Sequence, residues 1–449
     1  MKMAEFLDWL DSFLNFEKKQ QKNVFWLDTI RFLSARFGNP QDSIPCIHVA
    51  GSKGKGSVAQ MSACIMEAAG FRCGVYTSPH IRDFRERIGT AGGRFPEEVY
   101  EAAADELYAG VSGIRADELP GGRALTWFEL VTEYAFLCFR RAEVDWAVYE
   151  TGLGGRLDST NVVLPRACIL TPIELEHTEF LGSTIGQIAA EKAGIIKRGV
   201  PVIVAPQRHG AAGAVFLEHT EKQNAQCIFV DDVISNLDAS YQKAPPHLMR
   251  VSFEAALPDG SMQRVKTVLS LRGTAQAQNA AAAAIAAKTV LPWISDEAVS
   301  EGLSRAALPG RFEIREVSAA DGGRRTVVLD GAHTADSIAL AVRTLRDVFP
   351  EAECDLLFAC AADKAVEDIA PLFRGRFRRI TVTRPGYVRE SNLDGAAEAF
   401  LKNGMTVRKE ADCRKAASSA LADADGAVLL VAGSFYLVAE AESAFGLDA

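Results

Sequence analysis

The residues best suited to chemistry stand in a Gly-rich segment, residues 48–57, where Lys55 and Ser57 are set among three glycines. An apolar run precedes this segment and a helix-like run, residues 58–69, follows it. Glycines let backbone N–H groups approach phosphate oxygens, and the helix directs its positive end at them. A lysine in such a turn adds a point charge on the terminal phosphates. The segment therefore predicts a phosphate-binding loop, with an ordinary strand-to-helix turn as the alternative.

The loop departs in one respect from the common pattern G-x-x-x-x-G-K-[ST]. Lys55 is followed by Gly56, so the hydroxyl of Ser57 arrives one residue late. Nucleotide binding is the favoured interpretation, and the pattern alone does not say which nucleotide chemistry follows.

Short apolar runs alternate with longer helix-like stretches along the chain, which predicts sheets covered by helices. Polar and Gly-rich loops follow several of these runs, and open α/β sheets place ligands at such strand ends. The stretch from 231 to 272 is more polar and predicts a mostly β insertion, after which an Ala-rich helix spans 277–287. Strands are predicted over residues 46–50, 146–150, 167–171, 200–204, 325–330, 355–360, 379–383 and 427–432.

The bulk properties limit the class of protein. A chain of 449 residues, 48% of them apolar, is expected to form two or three domains. The net charge of −9 argues against a general nucleic-acid binder. Nine cysteines without a C-x-x-C pair indicate neither a zinc site nor a disulfide framework. Acidic residues interrupt the first 16 positions and no run is long enough to span a membrane, so a cytoplasmic location is expected.

Several further motifs follow the Gly-rich loop in a fixed order, and together they resemble the folylpolyglutamate synthase and dihydrofolate synthase family of the wider Mur ligase group. The resemblance runs from about residue 45 to residue 440 and is most specific over 150–197. The motifs are TSPH at 77–80, ETGLGGRLD at 150–158, EHT at 176–178, AEKAGIIK at 190–197, PGR at 309–311, DGAH at 330–333 and GSFY at 433–436.

The resemblance implies an α/β fold with two domains. Residues 1–305 would form a Mur-ligase-like P-loop ATPase domain with a mainly parallel sheet, and residues 306–449 a smaller Rossmann-like ligase domain. It also implies an ATP- and Mg²⁺-dependent ligase that adds L-glutamate to a folate, to dihydropteroate, or to both. A carboxylate does not react with an amine at neutral pH, whereas an acyl phosphate made from ATP does. A monomer acting on small molecules, with neither nucleic acid nor membrane as partner, is expected.

Site residues carry over from the family by position. Magnesium prefers oxygen ligands and keeps several waters, which a small donor set allows. The predicted metal ligands are Ser78, Glu150 and His177, and the predicted catalytic residues are Lys55, Lys192 and His333. The predicted nucleotide contacts are Lys53, Gly54, Lys55, Gly56, Ser57, Gln276, Asn279, Arg311 and Asp330. The predicted contacts of the acceptor substrate are Thr126, Phe128, Glu129, Leu157 and Asp158.

Lys192 has two interpretations. In the resembled family this lysine can be carbamylated, and the resulting carbamate would bind a second Mg²⁺. An unmodified lysine in contact with phosphate is the competing view.

The chain also departs from the family pattern at several positions. Lys53 replaces the usual Asn, Glu176 replaces an Asp, Ala275 stands where a His often precedes Gln276, and residues 334–335 replace Asn-Pro. The segment from 16 to 37 lacks the usual family sequence. Its charged run at 17–22 is interpreted as a solvated helix face or as a mark of altered acceptor specificity.

Three other functions stay open at this point. One is a Mur-type ligase that joins an amino acid to a carboxylate outside the folate class. Another is a nucleotide-hydrolysing switch, which would ignore glutamate. The third is a non-catalytic folate binder, against which the presence of Lys55, Glu150, His177 and Lys192 argues.

Overall fold

The computed structural model describes residues 1–15, 26–115, 117–362, 364–386 and 390–447. The charged run at 17–22 lies outside these ranges. The helices are α1 Met3–Asp11, α2 Asp28–Arg36, α3 Lys55–Ala68, α4 Glu97–Ser112, α5 Trp127–Arg141, α6 Thr178–Leu181, α7 Ile185–Ala193, α8 Gly210–Lys222, α9 Val230–Val233, α10 Thr274–Val290, α11 Asp296–Arg305, α12 Ala335–Val348, α13 Val366–Ile369, α14 Leu393–Lys402, α15 Cys413–Asp423 and α16 Phe435–Ala444. The strands are β1 Cys46–Ala50, β2 Cys73–Tyr76, β3 Ile88–Thr90, β4 Trp146–Glu150, β5 Ala167–Leu170, β6 Val202–Val204, β7 Cys227–Phe229, β8 Ile234–Tyr241, β9 Met249–Ala256, β10 Met262–Leu269, β11 Glu313–Ser318, β12 Arg324–Asp330, β13 Cys354–Phe358, β14 Phe377–Val382, β15 Arg408–Lys409 and β16 Val428–Ala432.

A seven-stranded sheet in the order β3-β2-β4-β1-β5-β6-β7 carries the Gly-rich loop. All neighbouring pairs are parallel except β2 and β3 at one edge. Every residue of β1, β4 and β5 is buried, as expected for strands covered by helices on both faces. The mainly parallel N-terminal sheet predicted from sequence is confirmed, and the carboxyl ends of β4, β1 and β5 lie side by side.

A second sheet lies in the C-terminal part, in the order β11-β12-β16-β13-β14-β15. Its pairs are parallel except β11 with β12. Helices cover its two faces over separate buried clusters, which confirms the smaller α/β domain predicted there. A third sheet, β10-β9-β8, falls within the stretch predicted as a β insertion.

The chain divides into two compact units. The first comprises Met1–Asp238, Val251–Val268 and Ala275–Ala306, and the second comprises Ala239–Arg250, Leu269–Thr274 and Ala307–Ala449. The second unit therefore includes two short segments from the insertion region as well as the C-terminal sheet. Within the described ranges, no helix has the length and apolar character needed to cross a membrane.

A buried carboxyl group sits inside the core that packs α5 against α2. Glu133 is fully buried, and its Oε2 accepts a 2.5 Å hydrogen bond from Ser34 Oγ. Its Oε1 has no hydrogen-bond partner among the residues that the structure describes. Burial raises the pKa of Glu133 to about 7, while the Ser34 bond and the charge of Arg140 act in the opposite direction.

This carboxyl group makes stability depend on pH. Because its pKa is higher in the folded chain, its stabilising contribution is complete below about pH 4.5 and is lost as the pH rises through 7. We expect Glu133→Gln to remove that loss. From pH 5 to pH 8 the free energy of unfolding should therefore change in favour of the variant, relative to the wild type, by roughly 2–3 kcal/mol. Urea unfolding at the two pH values measures the difference. The exposed Glu398→Gln is the control, and a gain of the same size there would contradict the assignment.

Candidate functional site

The Gly-rich loop joins β1 to α3 and is fixed to the loop after β5. Gly54 adopts a φ of +85° at the N-cap of α3. The amides of Ser52 and Lys53 both donate to Pro172 O, at 2.9 and 3.2 Å. The first-turn amides of a helix have no acceptor within the helix and carry its positive end. Residues 55–57 therefore hold the amides that this loop can offer to a phosphate group.

Gly51 must be a glycine because of its contact with Thr171. A Cβ atom at Gly51, where φ is +145°, would lie 1.9 Å from Thr171 Oγ1 and 2.8 Å from Thr171 O. We expect Gly51→Ala to displace the loop and to lower kcat/KM for ATP by about 100-fold or more. Steady-state kinetics measures the loss. Gly210→Ala at the start of α8 is the matched control, since a Cβ there meets no atom within 4 Å. Equal activity of the two variants would contradict the role given to Gly51.

Two of the three predicted metal ligands lie together. Glu150, at the end of β4, is buried, and its Oε2 accepts a 3.0 Å hydrogen bond from Ser78 N. A Cβ on Gly56 would lie 3.4 Å from the same oxygen, so the carboxylate faces the start of α3. A carboxylate at a phosphate-binding loop suits Mg²⁺, which prefers oxygen ligands, and Ser78 stands next to that carboxylate through its backbone amide.

The third predicted ligand, His177, is exposed and stands at the N-cap of α6 with a φ of +47°. Within the described ranges, no group of three or more His, Cys, Asp or Glu side chains converges as a ready-made metal site. The structure thus brings Ser78 and Glu150 together, and the metal role of His177 stays a prediction.

Lys192 and Glu176 form a buried ion pair. Lys192 Nζ, on α7, donates to Glu176 Oε1 at 2.9 Å, and the two side chains are 2% and 15% exposed. Burial lowers the pKa of Lys192, although the charge of Glu176 acts against that shift. For Glu176, burial alone would raise the pKa, but Lys192, Lys55 and Lys53 outweigh it and lower the pKa well below its usual range. Three cations therefore act on one carboxylate beside the phosphate loop.

The predicted nucleotide residues of α10 reach the same loop. Asn279 is buried, and its Nδ2 donates to Gln276 Oε1 at 3.0 Å. A Cβ on Gly54 would lie 2.8 Å from Asn279 Oδ1, so the asparagine packs directly on the loop. Helix α10 thus supports the phosphate loop at Gly54, the residue with a positive φ.

The predicted acceptor residues occupy two segments that touch. Thr126 and Glu129 cap α5: Glu129 Oε2 accepts from both Thr126 N and Thr126 Oγ1 at 2.8 Å. Burial raises the pKa of Glu129. Phe128 is half-buried, and a Cβ on Gly152 would lie 2.4 Å from its ring. The structure gives Thr126 and Glu129 a capping role, and their contact with a substrate stays a prediction.

Asp158 organises the loop after β4. Its Oδ2 accepts from the amides of Gly152 and Leu153 at 2.9 and 2.8 Å, and its Oδ1 accepts from Thr160 N and Oγ1 at 3.0 and 2.5 Å. Burial raises the pKa of Asp158, and these hydrogen bonds act in the opposite direction. Its neighbour Leu157 is partly exposed. Asp158 therefore holds the loop that follows Glu150.

The second unit contains the remaining predicted residues. Asp330, at the end of β12, accepts from Ala332 N at 2.7 Å and from Phe312 N at 3.0 Å. Burial raises its pKa to about 6, while these bonds and the charge of Arg311 act against that shift. The guanidinium of Arg311 lies 4.6 Å from the ring centre of Phe435.

His333 lies in the loop that follows Asp330. Its Nδ1 is 2.8 Å from Gly331 O. Because a carbonyl only accepts, Nδ1 donates this hydrogen bond. The ring of Phe435 lies 6.2 Å from that imidazole and close to Gly331, where a Cβ would come within 2.3 Å of it. Phe435 therefore packs against the loop of His333 and also contacts the guanidinium of Arg311.

Several residues of the site were not identified from the sequence. Pro172 and Thr171 fasten the phosphate loop, and Phe435 supports Arg311, although the sequence assigned it no role. Glu174 also approaches Lys53 of the loop, and Arg208 in turn approaches Glu174. The only sequence signal for Glu174 was its place two residues before Glu176, because contacts between distant loops leave no local pattern.

Comparison with known protein families defines the class of this site. The model of the Mur ligase middle domain matches residues 49–287, and that of the Mur ligase glutamate ligase domain matches residues 310–435. The first match contains the phosphate loop, Glu150 and Lys192, and the second contains Arg311, Asp330 and His333. The chain is thus an ATP-dependent ligase of the Mur type.

Individual relatives make the assignment narrower. The chain is 35% identical over 357 residues to the dihydrofolate synthase/folylpolyglutamate synthase of Bacillus subtilis, covering 76% of this chain and 77% of that protein. It is 32% identical to a probable bifunctional folylpolyglutamate synthase/dihydropteroate synthase of Haloferax volcanii, covering 93% of this chain and spanning about half, 48%, of that protein. A Mycobacterium tuberculosis folylpolyglutamate synthase solved with ADP and AMPPCP superposes with a TM-score of 0.86 at 28% identity, covering 99% of this chain and 98% of that one. The chain belongs to the dihydrofolate synthase/folylpolyglutamate synthase family.

Proposed function

We propose that this chain adds L-glutamate to a reduced folate, to dihydropteroate, or to both, by way of an acyl phosphate made from ATP. One observation carries the proposal. The phosphate loop, the Glu150 carboxylate and the Lys192–Glu176 pair are grouped at the carboxyl ends of the neighbouring strands β4, β1 and β5. The Bacillus subtilis relative carries both activities in its name, and the Mycobacterium tuberculosis folylpolyglutamate synthase was solved with ADP and AMPPCP. Acceptor, amino acid and nucleotide are small molecules, and we propose that the chain acts on them as a monomer.

The first step is transfer of the γ-phosphoryl group to the acceptor carboxylate. The amides of residues 55–57 and the ammonium of Lys55 would hold the terminal phosphates of ATP. Such transfer depends mainly on alignment and charge neutralisation, not on a protein nucleophile. The C–O bonds of the carboxylate stay intact: a carboxylate oxygen forms the new bond to the γ-phosphorus as the bond from that phosphorus to the β,γ-bridging oxygen breaks, and ADP leaves with the bridging oxygen.

The second step forms the amide. The amine of glutamate attacks the acyl carbon, and the tetrahedral intermediate expels inorganic phosphate. Lys192 lies where its charge would stabilise the phosphate group in both steps, because Glu176 fixes its Nζ beside the loop. We propose Lys55, Lys192 and His333 as the catalytic residues, with His333 as a contact of the phosphates.

A magnesium ion would be held by Ser78 and Glu150, with His177 as the proposed third ligand. When bound, it would neutralise phosphate charge during transfer. We expect His177→Ala to raise the Mg²⁺ concentration needed for half-maximal turnover by about tenfold or more. A titration of rate against Mg²⁺ measures the shift, with the exposed His209→Ala as the control. An unchanged titration would remove His177 from the metal site.

We further propose that the nucleotide also contacts Lys53, Gln276, Asn279, Arg311 and Asp330, and that the acceptor lies near Phe128, Leu157 and the capping pair Thr126 and Glu129. Residues 1–305 would form the ATP-binding domain and residues 306–449 the ligase domain. A cytoplasmic location belongs to the same proposal, and nine cysteines that all remain free thiols are consistent with it.

The state of Lys192 can be tested directly. Burial favours a neutral amine, which is the form that adds CO₂ to give a carbamate. Protein incubated with ¹³C-labelled bicarbonate would show a carbamate carbon in its NMR spectrum if the lysine is modified, and Lys192→Met would remove that signal. The absence of the signal from the wild type would leave the unmodified lysine in contact with phosphate.

The function is tested by phosphate release from ATP with and without glutamate. Dihydropteroate, tetrahydrofolate and a cell-wall precursor serve as alternative acceptors, and the mass of the product identifies the bond formed. We expect release to require glutamate and a folate-class acceptor. Release that ignores glutamate would indicate a nucleotide switch, and activity with the cell-wall precursor alone would indicate a Mur ligase outside the folate class.

A further inference from the structure

Glu174 lies between two cations at the edge of the phosphate loop. Its Oε2 is 3.9 Å from Lys53 Nζ, and its Oε1 is 3.8 Å from Arg208 Nη1. The Glu174 side chain is 11% exposed, whereas those of Lys53 and Arg208 are 31% and 58% exposed. A largely buried carboxylate therefore lies beside two more exposed cationic side chains.

The backbone around Glu174 joins three loops at one edge of the sheet. Ser52 Oγ donates to Glu174 O at 3.2 Å, beside the two amides that donate to Pro172. On the other side, Ile173 N donates to Gln207 Oε1 at 3.1 Å. Strands β1, β5 and β6 are neighbours in the sheet, and Glu174 stands in the loop that follows the middle one. The loop that carries Glu174 is therefore fastened directly to the phosphate loop.

Charge explains why a carboxylate is needed here. Lys53 stands where the resembled family usually has Asn, so this loop carries one cation more than that pattern. Lys55 is two residues away, and both act on Glu176. Like charges in one short loop repel each other unless an anion lies near them. Glu174 supplies that anion on the side of the loop that faces Arg208.

We propose that Glu174 is a positioning residue for ATP: it holds the ammonium of Lys53 beside the phosphate loop, where that extra cation contacts the nucleotide phosphates. The inference rests on the proposed function in that ATP binds at this loop. Glu174 itself does not contact the reacting atoms in this proposal. Its effect should therefore appear in nucleotide affinity and not in the rate of the chemical steps.

The test compares Glu174→Ala, Glu174→Gln, Lys53→Asn and the double variant K53N/E174A with the wild type. Calorimetry with AMPPCP and kinetics with ATP give Kd, KM and kcat. We expect both Glu174 variants to raise Kd and KM roughly five- to tenfold with kcat within about twofold. Glu174→Asp should recover most of the affinity. The double variant should match Lys53→Asn alone, because without Lys53 the Glu174 carboxylate no longer holds a cation of the phosphate loop, and Arg208 lies outside that loop.

The outcomes separate the positioning role from a structural one. Additive effects of the two substitutions, or unchanged affinity in both Glu174 variants, would overturn the inference about Glu174. The proposed function would still stand in that case, provided that the wild type binds AMPPCP. Failure of the wild type to bind AMPPCP would overturn both. Glu174→Gln preserves side-chain volume in case Glu174→Ala does not fold, and thermal unfolding checks each variant. Glu398→Ala, which breaks the exposed 3.0 Å pair with Lys402, is the matched control.

Discussion

Replacing Lys55 by methionine is expected to lower glutamate-dependent turnover by a factor on the order of 10³ while the fold stays intact. Lys55 is the first residue of α3 and is partly exposed, and among the described residues its Nζ donates one long hydrogen bond, 3.5 Å, to Ser52 O. Little native structure therefore depends on the ammonium, whereas the transferring phosphoryl group would lose its nearest fixed positive charge. Removal of one preorganised electrostatic contact typically costs 10²–10³-fold in rate.

The measurement is kcat with saturating acceptor and glutamate, together with thermal unfolding. Lys402→Met is a suitable control, because its cation lies on the exposed surface of α14 and pairs only on that helix in the described contacts. A Lys55→Met enzyme that keeps more than about a tenth of the wild-type rate would show that this loop does not serve the transferred phosphate.

Replacing Lys192 by methionine is expected to abolish turnover and also to destabilise the chain by about 3 kcal/mol. The substitution leaves the Glu176 carboxylate in a buried position without its closest cation, and breaking such a pair typically costs 3–5 kcal/mol. Lys53 and Lys55 act on the same carboxylate and should offset part of that cost. The effect on stability is therefore expected at the lower end of the range.

A second substitution separates stability from chemistry. In the double variant K192M/E176Q no buried charge is left unpaired, so unfolding in urea should return toward the wild-type midpoint. Turnover should stay abolished, because the cation beside the phosphates is still missing. Recovery of activity together with stability would mean that Lys192 serves only to neutralise Glu176.

The fold was predictable where a run of residues determines its own structure. The predicted strands at 46–50 and 146–150 match β1 and β4 at both ends, because fully buried parallel strands are short and mainly apolar runs. The helix after the loop was predicted to start at residue 58 and starts at Lys55, since glycine and polar residues in a first turn give no helical pattern. Likewise β6 begins after Pro201, although the apolar run begins at residue 200.

The site was predictable only in part. Lys55 and Glu150, predicted from motif positions, follow the carboxyl ends of the neighbouring strands β1 and β4, and Lys192 reaches the loop after β5 through Glu176. Their roles in the site stay predictions. Thr126 and Glu129 have the spacing of a capping box, which the family resemblance led us to interpret as substrate contacts. The pairing of Lys53 with Glu174 depends on the relative position of two loops more than 100 residues apart, and no local pattern encodes it.

The double attachment of the phosphate loop to Pro172 has a consequence for hydrogen exchange. The amides of Ser52 and Lys53 are bonded within the protein, so they should exchange slowly with solvent deuterium whether or not nucleotide is present. The first-turn amides of α3, at residues 55–57, should exchange rapidly until phosphate oxygens cover them. One short loop would thus contain internal reference amides and reporter amides side by side, and occupancy by nucleotide could be read from their ratio.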